Sequence, residues 1–508
     1  APPPHPPRTT PAGALDTASR LDSAGAADRR SRLMNPLRWL AGLLVVSLPA
    51  IAPGASPALQ PLRVADNRRF LVTQDGRPFF WLGDTAWELF HRLNREEAAR
   101  YLDNRAAKGF TVIQAVALAE LDGLNTPNAY GHRPLIENDP LRPAVQEGPR
   151  NDYWDHVDEV IGMAAERGLR VALLPTWGDK WQPRGARSPA IFNPDNTRTY
   201  GRWIGRRHRD TPVIWVLGGD RNIETAAERE VIEAMARGLR EGDGGSHLIT
   251  FHPRGPGRSA EQLHEADWLD FNMVQSSHGA RDHDNGLFIA ADYALLPAKP
   301  TIDAEPRYER VTVGFYLAGA DRHLVFDDYD CRQAAYWAVL AGACGHTYGH
   351  NSVWQMWAPG RAAVLDANVP WSEALDHPGA FQMGLVRRLF ESRPFHLLVP
   401  DESFVVDAPR NGGARVRGAR ASDGSFALVY TPRGEPFTVR LGVIREARSV
   451  KCWWFDPRYG TAAPIYTGEP VAMQTFTPPA SGRGQDWVLV LDDADKGFAT
   501  PGSSAPAP

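Results

Sequence analysis

Val213-Ile-Trp-Val-Leu217, closed by Gly218-Gly219-Asp220, is the stretch on which the fold turns. Five apolar residues run without alternation, the pattern of a short strand buried on both faces. Two glycines then let the backbone turn and present a carboxylate at the strand's C-terminal end. Beyond them Thr225–Glu241 is amphipathic at helical spacing, and His247–Phe251 is another short apolar run. Strand, helix and strand in that order make a βαβ unit, which implies parallel pairing.

The alternation continues in both directions. Upstream lie strand-like runs at Pro78–Leu82, Phe110–Val116 and Leu169–Pro175; downstream lie Trp268–Val274, Pro300–Asp303 and Gly345–Tyr348. Between them, Asn94 and Glu97 have the spacing of a capping box ahead of Ala98, Tyr101, Leu102 and Ala106. Val157, Val160, Ile161 and Ala164 form one helical stripe closed by Gly168. Helices are also expected near Thr197–Arg207, Arg332–Ala343 and Ala380–Ser392. Eight strands interleaved with helices predict an α/β fold, a (β/α)8 TIM barrel over residues 59–394. An open doubly wound sheet is the alternative, although no G-x-G-x-x-G follows the first strand and no P-loop occurs.

After residue 395 the texture changes to short strands at Phe426–Tyr430, Phe437–Val443, Val450–Phe455 and Trp487–Leu491. Turn residues separate them and no helical stripe intervenes, so 395–493 reads as a small all-β sandwich. The tail, 494–508, is small and polar and reads as disordered.

The N-terminus is different again. Residues 1–33 are rich in Pro, Ala, Ser and Arg and read as disordered or as an extension upstream of the true start. Met34 opens a short positive segment, then an apolar stretch from Trp39 to Ala52, then Ser56-Pro57-Ala58. That is the layout of a secretory signal peptide over 34–58, too short to span a bilayer as an anchor. It predicts a secreted or periplasmic protein that has no membrane contact once the signal is removed.

The 508 residues carry a net charge of −4, with 43% hydrophobic and 23% charged residues. A mildly acidic chain without a basic tract is a poor nucleic-acid binder. Three cysteines cannot form a complete disulfide framework. Cys331 and Cys344, read as belonging to one helix, are too far apart to bridge, so buried free thiols are expected. Oligomeric state is not readable from the pattern.

In a (β/α)8 barrel, functional groups lie at the C-terminal ends of the strands. The residues that follow the eight runs include Asp84 and Trp87, then Gln114 and Glu120, then Trp177 and Trp181, then Asp220. His252, Gln275, Ser277, His278, Glu305 and Tyr308 come next, and His350, Trp354, Gln355 and Trp357 close the ring. This rim holds carboxylates and aromatics but neither a G-x-S-x-G elbow nor an H-E-x-x-H zinc motif. Neither a metal nor another cofactor is therefore expected. Paired carboxylates among tryptophans are the toolkit of glycoside hydrolysis: one acid protonates the leaving oxygen, and the other attacks the anomeric carbon or activates water. Asp220 and Glu305 follow strands four and seven, which face each other across an eight-stranded ring, so they are the expected catalytic pair. A lone acid at a strand end serves equally as a loop cap or ion-pair partner; the pairing carries the argument. Asp84, Trp87, Gln114, Trp177, Trp181, Gln275, His278, Tyr308, His350, Gln355 and Trp357 are the expected substrate contacts.

The segments Phe80–Trp87, Lys108–Gln114, Trp215–Asp220, Glu305–Glu309 and His350–Trp357 together resemble the apiosidase-like glycoside hydrolases, glycoside hydrolase family 140. The resemblance covers most of residues 62–392. It implies a (β/α)8 catalytic domain, retaining hydrolysis of an apiosyl linkage in a pectic side chain, Asp220 as acid/base and Glu305 as nucleophile. The segment around Trp454–Arg458 is similar to the small β-domain that follows in this family and carries a collagen-binding label in related proteins. Barrel hydrolases of the wider group usually have Asn-Glu where this chain has Gly219-Asp220, which leaves the stereochemical outcome open. The expected partner is a polysaccharide or oligosaccharide. Two other classes fit parts of the pattern: a non-catalytic carbohydrate- or matrix-binding barrel, and a metal-dependent hydrolase using His346 and His350.

Overall fold

The computed structural model describes residues 59–182 and 190–503. The expectations for residues 1–33 and 34–58 lie outside the described residues. A three-stranded antiparallel sheet, Leu62–Val64, Leu71–Thr73 and Pro78–Phe79, precedes the barrel; it takes the first two residues of the run expected as barrel strand one, and its other two strands were not expected.

Eight parallel strands follow in barrel order: Trp81–Thr85, Val112–Val116, Arg170–Leu174, Val213–Gly218, Ile249–His252, Asn272–Gln275, Thr301–Asp303 and Gly345–Tyr348. They are called strands one to eight below. The ladder runs from strand five through four, three, two and one to eight, seven and six. Strand eight closes onto strand one with Gly345 opposite Trp81 and Tyr348 opposite Asp84. Strands five and six are not laddered, but Asp270 N donates to Ile249 O at 2.9 Å and Thr250 Oγ1 to Phe271 O at 2.6 Å, so the ring nearly closes there. A short antiparallel strand, Gly257–Arg258, pairs with strand six and holds the preceding loop at the rim.

The helices form where caps and stripes specify them. Asn94 Oδ1 accepts from Glu97 N at 2.9 Å and Glu97 Oε2 from Asn94 N at 3.0 Å, so both halves of the capping box are made at helix Arg95–Ala107. The stripe Val157, Val160, Ile161 and Ala164 is buried along Tyr153–Glu166. Helices Pro194–Arg207 and Ala226–Asp243, on either side of strand four, touch through glycines. A Cβ on Gly238 would lie 2.3 Å from Arg198 O, and one on Gly242 2.4 Å from Arg202 O.

The C-terminal region is a six-stranded antiparallel sheet with a separate two-stranded ribbon, Phe437–Val439 with Gln474–Phe476. The strands alternate with period two, and both faces of the central strands are buried. Ala427, Val429, Cys452, Trp454, Leu489 and Leu491 belong to the β-domain's own core, which includes the ribbon. Phe426, Leu428, Tyr430, Trp453, Phe455, Val488 and Val490 belong to the core shared with the barrel. Bidentate pairs reinforce that junction: Arg332 with Asp486 at 2.8 and 3.1 Å, and Arg393 with Asp492 at 2.6 and 3.0 Å.

Two expectations are corrected here. The helix expected through Ala343 spans Asp328–Leu340, so Cys344 lies beyond its end, just before strand eight; all three cysteines are nonetheless buried and free. Residues 494–503 of the tail are ordered against the junction. The Phe498 ring meets Phe426 edge-on at 5.9 Å, and Arg393 Nη1 donates to Ala499 O at 2.9 Å. The apolar and backbone partners these residues find lie far away in sequence, which a local composition cannot show. Residues 504–508 lie outside the described residues.

Candidate active site

A cleft of about 560 Å³ opens at the C-terminal ends of the strands. Strand four delivers Asp220 through an unusual backbone path. Gly218, Gly219 and Asp220 all have positive φ, 92°, 86° and 56°. A Cβ at Gly218 would come within 2.3 Å of His252 O, so glycine is obligatory there on contact as well as on dihedral grounds. Asp is among the few side chains that tolerate the left-handed region. Trp181 buttresses the turn, its indole N–H donating to Gly218 O at 2.8 Å.

Glu305 follows strand seven after Ala304, whose N–H donates to Val274 O at 2.8 Å. Its carboxylate is gripped by two histidines. His278 Nε2 lies 3.2 Å from Oε1, and His252 Nε2 lies 3.2 Å from Oε2, the latter an ion-pair contact outside linear hydrogen-bond geometry. In each ring the opposite nitrogen accepts from a backbone N–H: Asp220 N reaches His252 Nδ1 and Tyr308 N reaches His278 Nδ1, both at 3.4 Å. An Nδ1 that accepts leaves the ring proton on Nε2, facing Glu305. Burial works to raise the Glu305 carboxyl, but hydrogen bonding and electrostatic attraction from the Nε2 sides of His252 and His278 outweigh it and hold the group well below the usual carboxylate range.

Asp220 is pushed the other way. Burial, then the charge of Glu305, raise its carboxyl to about 6, against smaller opposing effects of His252, Arg221 and Gln275. Its side chain keeps about 35% exposure, into the cleft. One carboxylate is thus held ionised while the other holds its proton into the mildly acidic range, the division of labour that acid-assisted bond cleavage needs. Aromatic rings supply the apolar walls. Trp87 lies 5.2 Å from Trp177 and 5.5 Å from His252, while His278 packs edge-on against Tyr308 at 4.7 Å. The indole N–H of Trp177 and Oε1 of Gln275 are buried without a hydrogen-bond partner among the described residues, and both residues line the cleft.

Of the residues expected from sequence, Trp87, Trp177, Asp220, Gln275, His278, Glu305 and Tyr308 line this cleft. Six do not. Asp84 lies within strand one and faces outward, where Arg105 Nε at 2.7 Å and Tyr101 OH at 2.5 Å hold it fully buried. Gln114 lies beneath the floor, its Nε2 donating to Ala304 O at 3.0 Å. Trp181 is spent on the Gly218 turn. His350 accepts from Ser352 N at 3.0 Å and pairs with His377 at 2.9 Å, capping the helical turn Asn351–Trp354. Gln355 bonds both N–H and C=O of Val364 at 2.9 Å, and Trp357 donates to Arg361 O at 3.1 Å. Each is committed to protein rather than to the cleft.

Glu120, Ser277, Phe315, Tyr316 and the Arg254–Pro256 loop also line the cleft, and the fully buried His252 touches Glu305; Glu120, His252 and Ser277 stand on the rim read from sequence but not among its expected contacts. His252 ends strand five beside strand four, so its position in the pattern was a usable signal. Phe315 and Tyr316 sit on a long loop without periodicity, and nothing local marks them.

Residues 65–396 match a family model described as "Apiosidase-like, catalytic domain", and residues 399–492 match "Putative collagen-binding domain of a collagenase". A solved structure titled a glycoside hydrolase is similar at 33% identity with TM-score 0.78, covering 86% of this chain and 97% of its own. A glycoside hydrolase family 5 structure from Bacteroides vulgatus is similar at 31% identity with TM-score 0.79, covering 88% and 96%. The chain matches no curated protein.

Proposed function

The chain belongs to the apiosidase-like glycoside hydrolases and is a glycoside hydrolase; from that premise we propose that it cleaves a furanoside linkage, apiosyl-like, in a polysaccharide by a retaining two-carboxylate mechanism. The observation that carries the reading is the opposite tuning of Glu305 and Asp220 within one cleft. Glu305, kept ionised by His252 and His278, attacks the anomeric carbon. Asp220, kept protonated by burial and by the charge of Glu305, gives its proton to the leaving oxygen. The sugar–oxygen bond breaks as the bond to Glu305 Oε forms. Asp220, now ionised, takes a proton from water, which displaces Glu305 and frees the sugar. Trp87, Trp177 and Tyr308 offer ring faces and edges to the sugar, and the unpartnered Trp177 N–H and Gln275 Oε1 suit its hydroxyls.

The furanoside and the retaining outcome rest on the family resemblance. Export rests on the sequence layout of residues 34–58. The test is to incubate the enzyme with a panel of plant and bacterial polysaccharides, apiose-bearing pectin among them, and follow the released sugar by proton NMR. Release of a pentofuranose with the anomeric configuration of the linkage supports the reading. Initial release of the opposite anomer makes Glu305 a base that activates water, and release of a hexopyranose removes the furanoside assignment.

A further inference from the structure

We propose that Glu120 is a third working carboxyl of this cleft, contacting a hydroxyl of the bound sugar rather than its reacting atoms; this rests on the glycoside-hydrolase reading of the same site. Glu120 lines the cleft with Asp220, Trp87 and Trp177. Its backbone is fixed on both sides. Trp177 N donates to Leu118 O at 3.1 Å, and the N–H of Leu121 donates to Glu88 Oε1 at 3.0 Å. Glu88 is itself fully buried and bonded to His91 Nδ1 at 2.7 Å. A side chain mounted between two such anchors is a rigidly presented group. Yet the Glu120 carboxyl makes no side-chain hydrogen bond or ion pair among the described residues, whereas the neighbouring Glu88 bonds His91 and Asp179 bonds Lys180. Glu120 is only partly buried, so its carboxyl is hydrated in the open cleft, and a sugar hydroxyl can take the place of that water.

The charges facing it decide its form. Asp220 after strand four, Glu88 after strand one and Asp179 after strand three are all acidic. Lys180, already bonded to Asp179 Oδ1 at 2.7 Å, and Arg92 are the cations in range. Burial, then the charges of Asp220, Glu88 and Asp179, raise the Glu120 carboxyl to about 8. At neutral pH it is an O–H donor with one free acceptor oxygen, which complements a sugar hydroxyl in either sense. Neutrality also spares Asp220 a further negative neighbour.

The test uses the full chain with Glu120→Gln and Glu120→Ala, apiose-bearing pectin as substrate, and thermal melting to confirm folding. Near pH 6 Glu120→Gln, which keeps a donor and an acceptor, retains kcat/KM within about threefold, while Glu120→Ala loses on the order of tenfold. Above a pH of about 8 the wild-type log(kcat/KM) gains one extra unit of downward slope that Glu120→Gln lacks. A readout independent of turnover accompanies this. Infrared difference spectra show a protonated-carboxyl band that titrates near pH 8, is missing from Glu120→Gln, and shifts when the pectin is added to Glu305→Gln protein. Absence of that band, full activity of Glu120→Ala, or equal impairment of both variants at pH 6 overturns the proposal. If Glu305→Gln itself keeps wild-type activity, the two-carboxylate reading fails instead, and the infrared band still decides the state of Glu120.

Discussion

His252 bridges the two halves of the site: its Nδ1 accepts from the backbone N–H of Asp220 at 3.4 Å, and its Nε2 stands 3.2 Å from Glu305 Oε2. One imidazole therefore sets the turn that presents one carboxylate and the ionisation of the other.

Replacing that ring tests the coupling. In His252→Ala, Glu305 loses the first of the two groups that depress its carboxyl, so its pKa rises toward the ordinary value. The expected result is an acid limb of kcat/KM displaced to higher pH and a loss of roughly 10- to 100-fold at the optimum. An unmoved acid limb in the pH profile contradicts this.

Asp220 predicts a trade between activity and stability. Its carboxyl is raised by the fold, so the folded state favours the protonated form, and stability falls as pH rises from the unfolded value, 3.8, through about 6. Asp220→Asn removes that titration and retains a side chain that tolerates positive φ. Its melting temperature should exceed wild type at pH 8 and match it at pH 4, while turnover is lost. The check is calorimetry of both proteins at the two pH values.

Asp84 and Arg105 are read as structure. Both are fully buried, joined at 2.7 Å, and Tyr101 completes the set. Arg105→Ala leaves an uncompensated buried carboxylate and should cost about 3–5 kcal/mol in chemical denaturation. KM of the molecules that remain folded should be unchanged, whereas a substrate-binding role for Asp84 would raise it.

The glycine seam behind strand four gives a purely steric prediction. In Gly238→Ala the new methyl meets Arg198 O at 2.3 Å, so helices Pro194–Arg207 and Ala226–Asp243 must separate. A loss of about 1–3 kcal/mol in chemical denaturation is expected from such overpacking. Gly162→Ala, where nothing lies within 4 Å, should be neutral or stabilising.

How much of this was legible in the sequence follows from which forces are local. Strands two to five fall on short apolar runs, because parallel strands are buried on both faces and need no alternation to be recognised, whereas strands seven and eight, Thr301–Asp303 and Gly345–Tyr348, are short and half polar. The pairing of Asp220 and Glu305 followed from strand order around a ring. The facing of a side chain was less legible. Asp84 stands at the end of an apolar run just as Asp220 does, but the strand continues to Thr85, and period two turns Asp84 outward to Arg105. Polar residues after strand eight were read as substrate contacts, yet His350 and Gln355 satisfy backbone groups of a loop whose path has no sequence signal. Edge strand Thr461–Gly468 escaped for a related reason: it is mostly exposed and carries Pro464, so neither alternation nor a buried run marks it.

The central claim is that Glu305 and Asp220 do the chemistry. The most direct measurement is kcat/KM for apiose-bearing pectin by wild type, Glu305→Gln and Asp220→Asn at a pH of about 5, below the Asp220 value of about 6. Losses of about 10³-fold or more in both variants, with Asp220→Asn melting at or above wild type and Glu305→Gln folded but melting below it, are the predicted result. Near wild-type hydrolysis by Glu305→Gln would contradict it.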